Sequence, residues 1–211
     1  MHPKKEFYAK QAHTVIKAME KRNITGHYVE TADEARELVS SMIPDGTTVG
    51  SGGSMTLTQT GILDVLRERD LTLMERSQAK TPVAMEQFHR DTFSVDYYLM
   101  GSNAITLDGK LVNVDGTGNR VAAMIYGPRK VIIVAGMNKV APDEASAIQR
   151  VRTFAAPPNT MRLGKNTPCV ETGKCHHCLA EDCICCQTVV TRMSKPKDRI
   201  HVVLVGEELG F

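Results

Sequence analysis

The feature that most constrains this chain is Val131-Ile132-Ile133-Val134-Ala135, an apolar run with no polar interruption. A strand with one wet face alternates apolar and polar residues, because successive side chains point to opposite faces. An unbroken run of strand length needs apolar cover on both sides, as in the middle of a parallel sheet flanked by helices.

The rest of the chain supplies the partners. Helical spacing marks residues 3–23, where Phe7, Ala12, Val15, Ile16 and Met19 recur on one face, with Gly26 as the stop. A short strand is expected at 27–30. Thr31 and Glu34 then form a capping box for a helix over 33–42, which ends at the turn Pro44-Asp45-Gly46. Strands at 47–49, 71–74 and 97–100 alternate with helices at 56–69 and 82–90. Residues 103–106 and 110–114 flank Asp108-Gly109, a hairpin signal. A helix at 121–126, the central strand, and a helix at 141–155 follow, and Pro157-Pro158-Asn159 breaks the pattern. The apolar residues 200–206 read as a last strand returning to the sheet. This order implies an α/β fold with a mainly parallel sheet and flanking helices. The 211 residues suit a single domain, 1–211, with residues 157–195 as a cysteine-rich insertion before the last strand.

Charge and composition exclude some function classes. With 26 basic and 24 acidic residues scattered along the chain, there is no basic stripe for nucleic acid. No apolar stretch is long enough for a membrane, and the first residues lack the apolar core of a secretory signal. A cytoplasmic protein is expected.

Two loops carry candidate binding chemistry. Gly50-Ser51-Gly52-Gly53-Ser54 joins a strand to a helix, where glycines admit close backbone approach and free N–H groups favour an anion. It is neither a dinucleotide fingerprint nor a Walker loop; the plain alternative is a tight turn with a Ser cap. A bulky residue at Gly52 is expected to block an anion and leave the fold intact. The second loop gathers Asn103, Asp115, Gly118, Asn119 and Arg120, with Arg120 able to grip a carboxylate; the plain alternative has Asp115 and Asn119 capping backbone groups. Both loops are expected to face one cleft, because loops after parallel strands collect at one edge.

All six cysteines lie between Cys169 and Cys186, a clustering that suits a metal or thiol chemistry better than a disulfide framework. Cys175-x-x-Cys178 and Cys183-x-x-Cys186 provide two pairs, enough for four thiolate ligands, with Cys169 and Cys185 as alternative members. The spacing matches neither a zinc ribbon nor a ferredoxin run, so zinc, an iron–sulfur cluster and redox-active thiols all stay open.

The segments from Gly50 to Leu57 and from Ser102 to Ala122 resemble the lactate-utilisation (LUD) domain family, over about residues 5–155 and the last strand, in a subgroup with a cysteine-rich C-terminal insertion. The resemblance implies a NagB/RpiA/CoA-transferase-like fold, shared with ribose-5-phosphate isomerase, glucosamine-6-phosphate deaminase and the CoA transferases. It also implies a small anionic metabolite as ligand and iron–sulfur lactate-oxidation subunits as partners, and it is compatible with a homo-oligomer. The isomerases' catalytic Glu and the CoA transferases' Glu-Asn-Gly are both missing here. Organic-acid utilisation therefore leads, ahead of a metal- or redox-responsive regulator and of an isomerase- or deaminase-like enzyme.

Overall fold

The computed structural model describes residues 3–211. The chain runs α1 (Pro3–Glu20), β1 (Ile24–Val29), α2 (Ala32–Met42), β2 (Thr48–Ser51), α3 (Met55–Gln59), α4 (Ile62–Arg67), β3 (Thr72–Met74), α5 (Pro82–Asp91) and β4 (Tyr97–Met100). It continues through β5 (Ala104–Thr106), β6 (Leu111–Asp115), α6 (Asn119–Ile125), β7 (Lys130–Gly136), β8 (Val140–Ala141) and α7 (Glu144–Arg150). It closes with α8 (Ala156–Arg162), α9 (Pro168–Thr172), β9 (Gln187–Thr191) and β10 (Ile200–Val205). No helix among the described residues is long and apolar enough to cross a membrane.

Six strands form one sheet in the order β1-β10-β7-β4-β2-β3, every neighbouring pair parallel. β7 sits inside it, as its composition requires. Val131, Ile133 and Ala135 pack with α1 and α6 on one face, while Ile132 and Val134 pack with α2, α3 and α4 on the other. A second sheet, β8-β5-β6-β9, mixes parallel and antiparallel pairs and rests against α7.

The Asp108-Gly109 turn behaves as its sequence demands. Gly109 has φ +82°, and its N–H donates to the Thr106 carbonyl at 2.8 Å. Arg22 clamps the turn onto the end of α1, donating to the Asp108 carbonyl at 2.6 Å and to its carboxylate at 2.7 Å. A Cβ on Gly109 would stand 2.8 Å from the Met19 backbone nitrogen. Gly109→Ala is therefore expected to cost roughly 2–4 kcal/mol, combining a left-handed backbone with overpacking. Equilibrium urea unfolding checks this, and a loss below about 0.5 kcal/mol would show that the turn relaxes freely.

The Thr31 cap also forms: its hydroxyl accepts from Glu34 N–H at 3.2 Å. The Glu34 carboxylate reaches back one residue further than a capping box does, to the Glu30 N–H at 2.8 Å.

Several expectations are corrected. The first helix stops at Glu20 and the chain turns at Asn23, whose φ is +55°, so Gly26 lies inside β1 and not at a helix end. Its lack of a side chain admits Ile16 of α1, whose Cγ1 would sit 2.8 Å from a Cβ there. The expected helix over 56–69 breaks at Gly61, φ +66°, into α3 and α4. Pro157-Pro158 does not end the preceding helix. The chain widens into a π turn over Val151–Ala155 and the two prolines occupy the first turn of α8, where a missing N–H costs least. Residues 157–162 and 187–191, at the two ends of the expected insertion, thus belong to α8 and β9. In residues 163–187 only Thr167 is buried.

Candidate functional site

The chain leaves β2 toward α3 and α4 on one face of the large sheet. It leaves β4 toward the second sheet and α6, which cover the other face. Neighbouring parallel strands whose connections part in this way leave a crevice at their carboxyl ends. There the structure has a cleft of about 330 Å³. Gly53, Ser54, Asn103, Asp115, Asn119 and Arg120 all line it, so the two loops do face each other. The reason differs from the one expected, because the second loop follows β6, an antiparallel strand of the small sheet.

Gly50, Ser51, Gly52 and Gly118 stand outside the cleft lining. Gly50 and Ser51 belong to β2, and a Cβ on Gly50 would press Thr92, Tyr98 and Val95. Gly52 is buried, its N–H donates to the Leu99 carbonyl at 2.9 Å, and a Cβ there would stand 3.0 Å from the Tyr98 hydroxyl. The chain therefore supplies the acceptor that the sequence reading left open at this position. Gly52→Val is a packing lesion, contrary to the expectation of an intact fold. Gly53 is the loop position that faces solvent, with nothing within 4 Å of an added Cβ. Ser54 Oγ accepts from Leu57 N–H at 3.4 Å as the cap of α3. Gly118, φ +90°, precedes α6 and packs beside Gln187.

Arg120 holds the second loop together. Its Nη1 donates to the Gly101 carbonyl at 3.1 Å and to Asn113 Oδ1 at 2.8 Å. Its Nη2 donates to Asn103 Oδ1 at 2.9 Å and to the Val114 carbonyl at 2.8 Å. Those four bonds use all four Nη hydrogens. The remaining Nε faces the Asp115 carboxylate at 4.0 Å. Asp115 likewise turns inward: its carboxylate accepts from Gly116 N–H at 3.2 Å and from Val121 N–H at 3.1 Å.

The residue that sequence reasoning missed is Lys139. It follows β7 at the same carboxyl edge, lines the cleft, and is only 4% exposed. Its amine donates to Thr56 Oγ1 at 2.8 Å, and the groups whose charge reaches it are Arg150 and Arg120, both cationic. Burial first, then those two cations, lower its pKa from 10.5 to about 7. Arg150 braces the neighbourhood, donating to the Asn138 carbonyl at 2.9 Å and the Asn103 carbonyl at 2.7 Å, which ties the ends of β7 and β4. Further cationic lining comes from Arg76, Arg162 and Lys165, the last paired with Asp182 at 3.0 Å. His89 also lines the cleft, its pKa lowered by burial and by Arg76. Among the described residues Asp115 is the single side-chain carboxylate in the lining. Glu75 lies outside the cleft lining and pairs with Arg67 at 2.6 Å.

The cysteines line a second cavity of about 220 Å³ behind the first. Cys169, Cys175, Cys178, Cys183 and Cys185 face it, whereas Cys186 does not. All six are free. Backbone N–H groups point at two of the sulfurs, His177 N to Cys175 Sγ at 3.5 Å and Cys185 N to Cys183 Sγ at 3.4 Å. Cys185 keeps surface in solvent, yet enough protein surrounds its thiol that burial, followed by the Cys183, Cys175 and Cys169 thiols, pushes its pKa up to about 12. Among the described residues no group of three or more Cys, His, Asp or Glu side chains is drawn close enough to hold a single metal ion. Ile184 and Cys185 line both cavities and so form part of the wall between them.

The LUD domain model matches residues 12–205. Among solved structures, a DUF162 family protein from Deinococcus radiodurans aligns over 94% of this chain and 97% of its own, with TM-score 0.54 and 12% identity. Ribose 5-phosphate isomerase A from Methanocaldococcus jannaschii aligns over 52% of this chain and 53% of its own, with TM-score 0.34 and 16% identity. The eIF2B beta subunit from Chaetomium thermophilum aligns over 55% of this chain and 44% of its own, with TM-score 0.39 and 17% identity. No curated protein matches the chain. With the family model spanning nearly all of its length, the chain belongs to the LUD-domain family.

Proposed function

We propose that the cleft binds a small anionic metabolite, a carboxylate or phosphate ester, and that the protein serves lactate or related organic-acid utilisation in the cytoplasm beside iron–sulfur partner subunits. The observation that carries this reading is the charge of the cleft. A buried amine, Lys139, stands with Arg76 and Arg162 in a lining whose one side-chain carboxylate among the described residues, Asp115, is engaged by backbone N–H groups and by Arg120. The Lys139 amine is buried while Arg76 and Arg162 are exposed, and a buried amine lacking counter-charge is costly to protonate unless an anion completes it. We read 1–211 as one LUD domain of NagB/RpiA/CoA-transferase-like shape, with a cysteine-rich segment that marks a subgroup and holds a metal–thiolate centre. The wall shared by the two cavities favours one second reading, a regulator whose cysteine chemistry alters the cleft. An isomerase or deaminase gains no support, because the cleft lacks a free carboxylate to act as base.

A thermal-shift panel of hydroxy acids, phosphorylated sugars and CoA esters tests the anion reading. At roughly a hundredfold excess over Kd, a true ligand adds about 2.7 kcal/mol to the folded state. Gly53→Val adds bulk at a loop position with open space around it and is expected to erase that gain without lowering the unliganded Tm. If no anion stabilises the parent, or if the variant responds equally, the cleft is not an anion site.

A further inference from the structure

We infer that the Lys139 amine is a nucleophile, and that it forms an imine with the carbonyl carbon of an anionic carbonyl compound, an oxo acid or a ketose phosphate, held in the cleft. This rests on the reading of the cleft as an anion site and names the class of anion that reacts there.

The first observation is placement. Lys139 ends the short 3₁₀ turn Met137–Lys139 between β7 and β8, at the carboxyl edge of the large sheet. It lines the cleft and is nearly all buried, so packing holds its side chain in one place. Behind the amine stand Thr56, whose Oγ1 accepts an N–H at 2.8 Å, and Gly210, where a Cβ would lie 3.1 Å from Nζ. Neither Thr56 nor Gly210 lines the cleft. The Gly210 N–H donates to Gln59 Oε1 at 2.6 Å, which keeps this backing closed. Thr56 Oγ1 donates in turn to the Leu209 carbonyl at 3.4 Å. An N–H of the amine, and not its lone pair, therefore points at the hydroxyl, and the lone pair is left for the cleft. A nitrogen fixed in this way beside a ligand space has the orientation that bond formation requires.

The second observation is the company the amine keeps. Lysine attacks a carbonyl only as the neutral amine. The charged groups that reach Lys139 are Arg150 and Arg120, and burial together with these two cations brings its pKa from 10.5 down to about 7. Both guanidiniums are locked in place. Arg120 spends its Nη hydrogens on four acceptors, and Arg150 is tied to the Asn138 and Asn103 carbonyls. Neither swings away to ease protonation of the amine. A desolvated lysine beside another cation is the setting that activates this side chain as a nucleophile. The other cleft cations differ in kind. Arg76 and Arg162 are exposed guanidiniums, charged at any working pH, that draw an anion in. The amine offers a lone pair, which they do not.

The step is a condensation. The Nζ lone pair bonds to the carbonyl carbon while the π pair of C=O moves to oxygen, and one N–H proton passes to that oxygen to give a carbinolamine. Its C–O bond then breaks as the nitrogen lone pair closes C=N, and the hydroxyl leaves with the second N–H proton as water. One proton from solvent turns the imine into an iminium. That cation carries the same charge as the ammonium, so uptake of a proton on binding above pH 7 accompanies either form.

The test incubates the full chain with sodium cyanoborohydride and pyruvate, dihydroxyacetone phosphate or lactate, and maps adducts by peptide mass spectrometry. Hydride reduction fixes an imine as a secondary amine. The expected result is one adduct per chain on Lys139, heavier by the mass of the carbonyl compound less one oxygen atom. Pyruvate alone giving it assigns an oxo acid, and dihydroxyacetone phosphate alone a ketose phosphate. Lactate has no carbonyl and should give none. At pH 7 the neutral fraction is about half for Lys139 and under about one in a thousand for a solvated lysine. Lys139 should therefore label at least about tenfold faster than the exposed lysines, and its rate should level off above about pH 7 while theirs keep rising. If anions raise the Tm of the parent while Lys139 stays unlabelled, or labels no faster than exposed lysines, the imine is overturned and the anion site stands. If no anion stabilises the parent and no adduct forms on Lys139, both are overturned.

Discussion

Replacing Arg120 by Met is expected to lower the unfolding free energy by roughly 3–5 kcal/mol, the cost of removing a buried charge from a fully hydrogen-bonded setting. Its four Nη bonds join the end of β4, the Asn103 and Asn113 side chains, and the end of β6. Once the guanidinium is gone, Asn113 Oδ1 and the Gly101 carbonyl lose a partner in a place water does not reach easily. Met fills the space without supplying a donor. Arg120→Lys should recover little, because an ammonium cannot span four acceptors held in a planar fork. Urea unfolding of the three proteins measures this. If Arg120→Met unfolds within about 1 kcal/mol of the parent, the loop does not depend on the arginine.

The second large effect belongs to Lys139. Its folded-state pKa is depressed to about 7 from 10.5. Below about pH 7 the amine is charged in both states, and the folded state bears the full cost of burying that charge. Between pH 7 and 10.5 the unfolded chain binds the extra proton, so stability rises with pH across that window. Lys139→Met removes the rise and is expected to be the more stable protein near pH 7, by on the order of 2–4 kcal/mol. Binding should move the other way. An anion that meets the charged amine must first have it protonated, so affinity should fall about tenfold per pH unit above pH 7. The Met variant should bind roughly 30- to 100-fold more weakly with no such slope. A variant that is less stable than the parent at pH 7, or that keeps the slope, would assign the pH dependence elsewhere.

Most of the fold was legible because it follows from local rules. The residues 131–135 could only be a covered strand, and the Asp108-Gly109 pair could only be a tight turn. Where the reading failed, tertiary contact overrode a local signal. Gly26 reads as a helix stop, yet it is a strand glycine made necessary by the approach of Ile16. Pro157-Pro158 reads as a break, yet a π turn lets the helical path continue through them. β9 was missed because Gln187 and Thr188 are exposed, leaving little apolar alternation to see. The site was half legible. Glycine and polar loops announce themselves, but they turn out to divide between cleft lining and internal bracing. Lys139 left no signal in the sequence, since a lysine after a strand is ordinary. Its burial arises only when Thr56 and the Leu209-Gly210 segment, far apart in the chain, close over it.

The claim that the cleft takes an anion on Lys139 is tested most directly by calorimetric titration at about pH 8, one unit above the folded-state pKa, in buffers of different ionisation enthalpy. The titrant is whichever hydroxy acid, sugar phosphate or CoA ester stabilises the parent. Saturable binding accompanied by uptake of a proton from the buffer is the result predicted here. Binding with the same heat in every buffer, or no saturable binding by any of these anions, would contradict it.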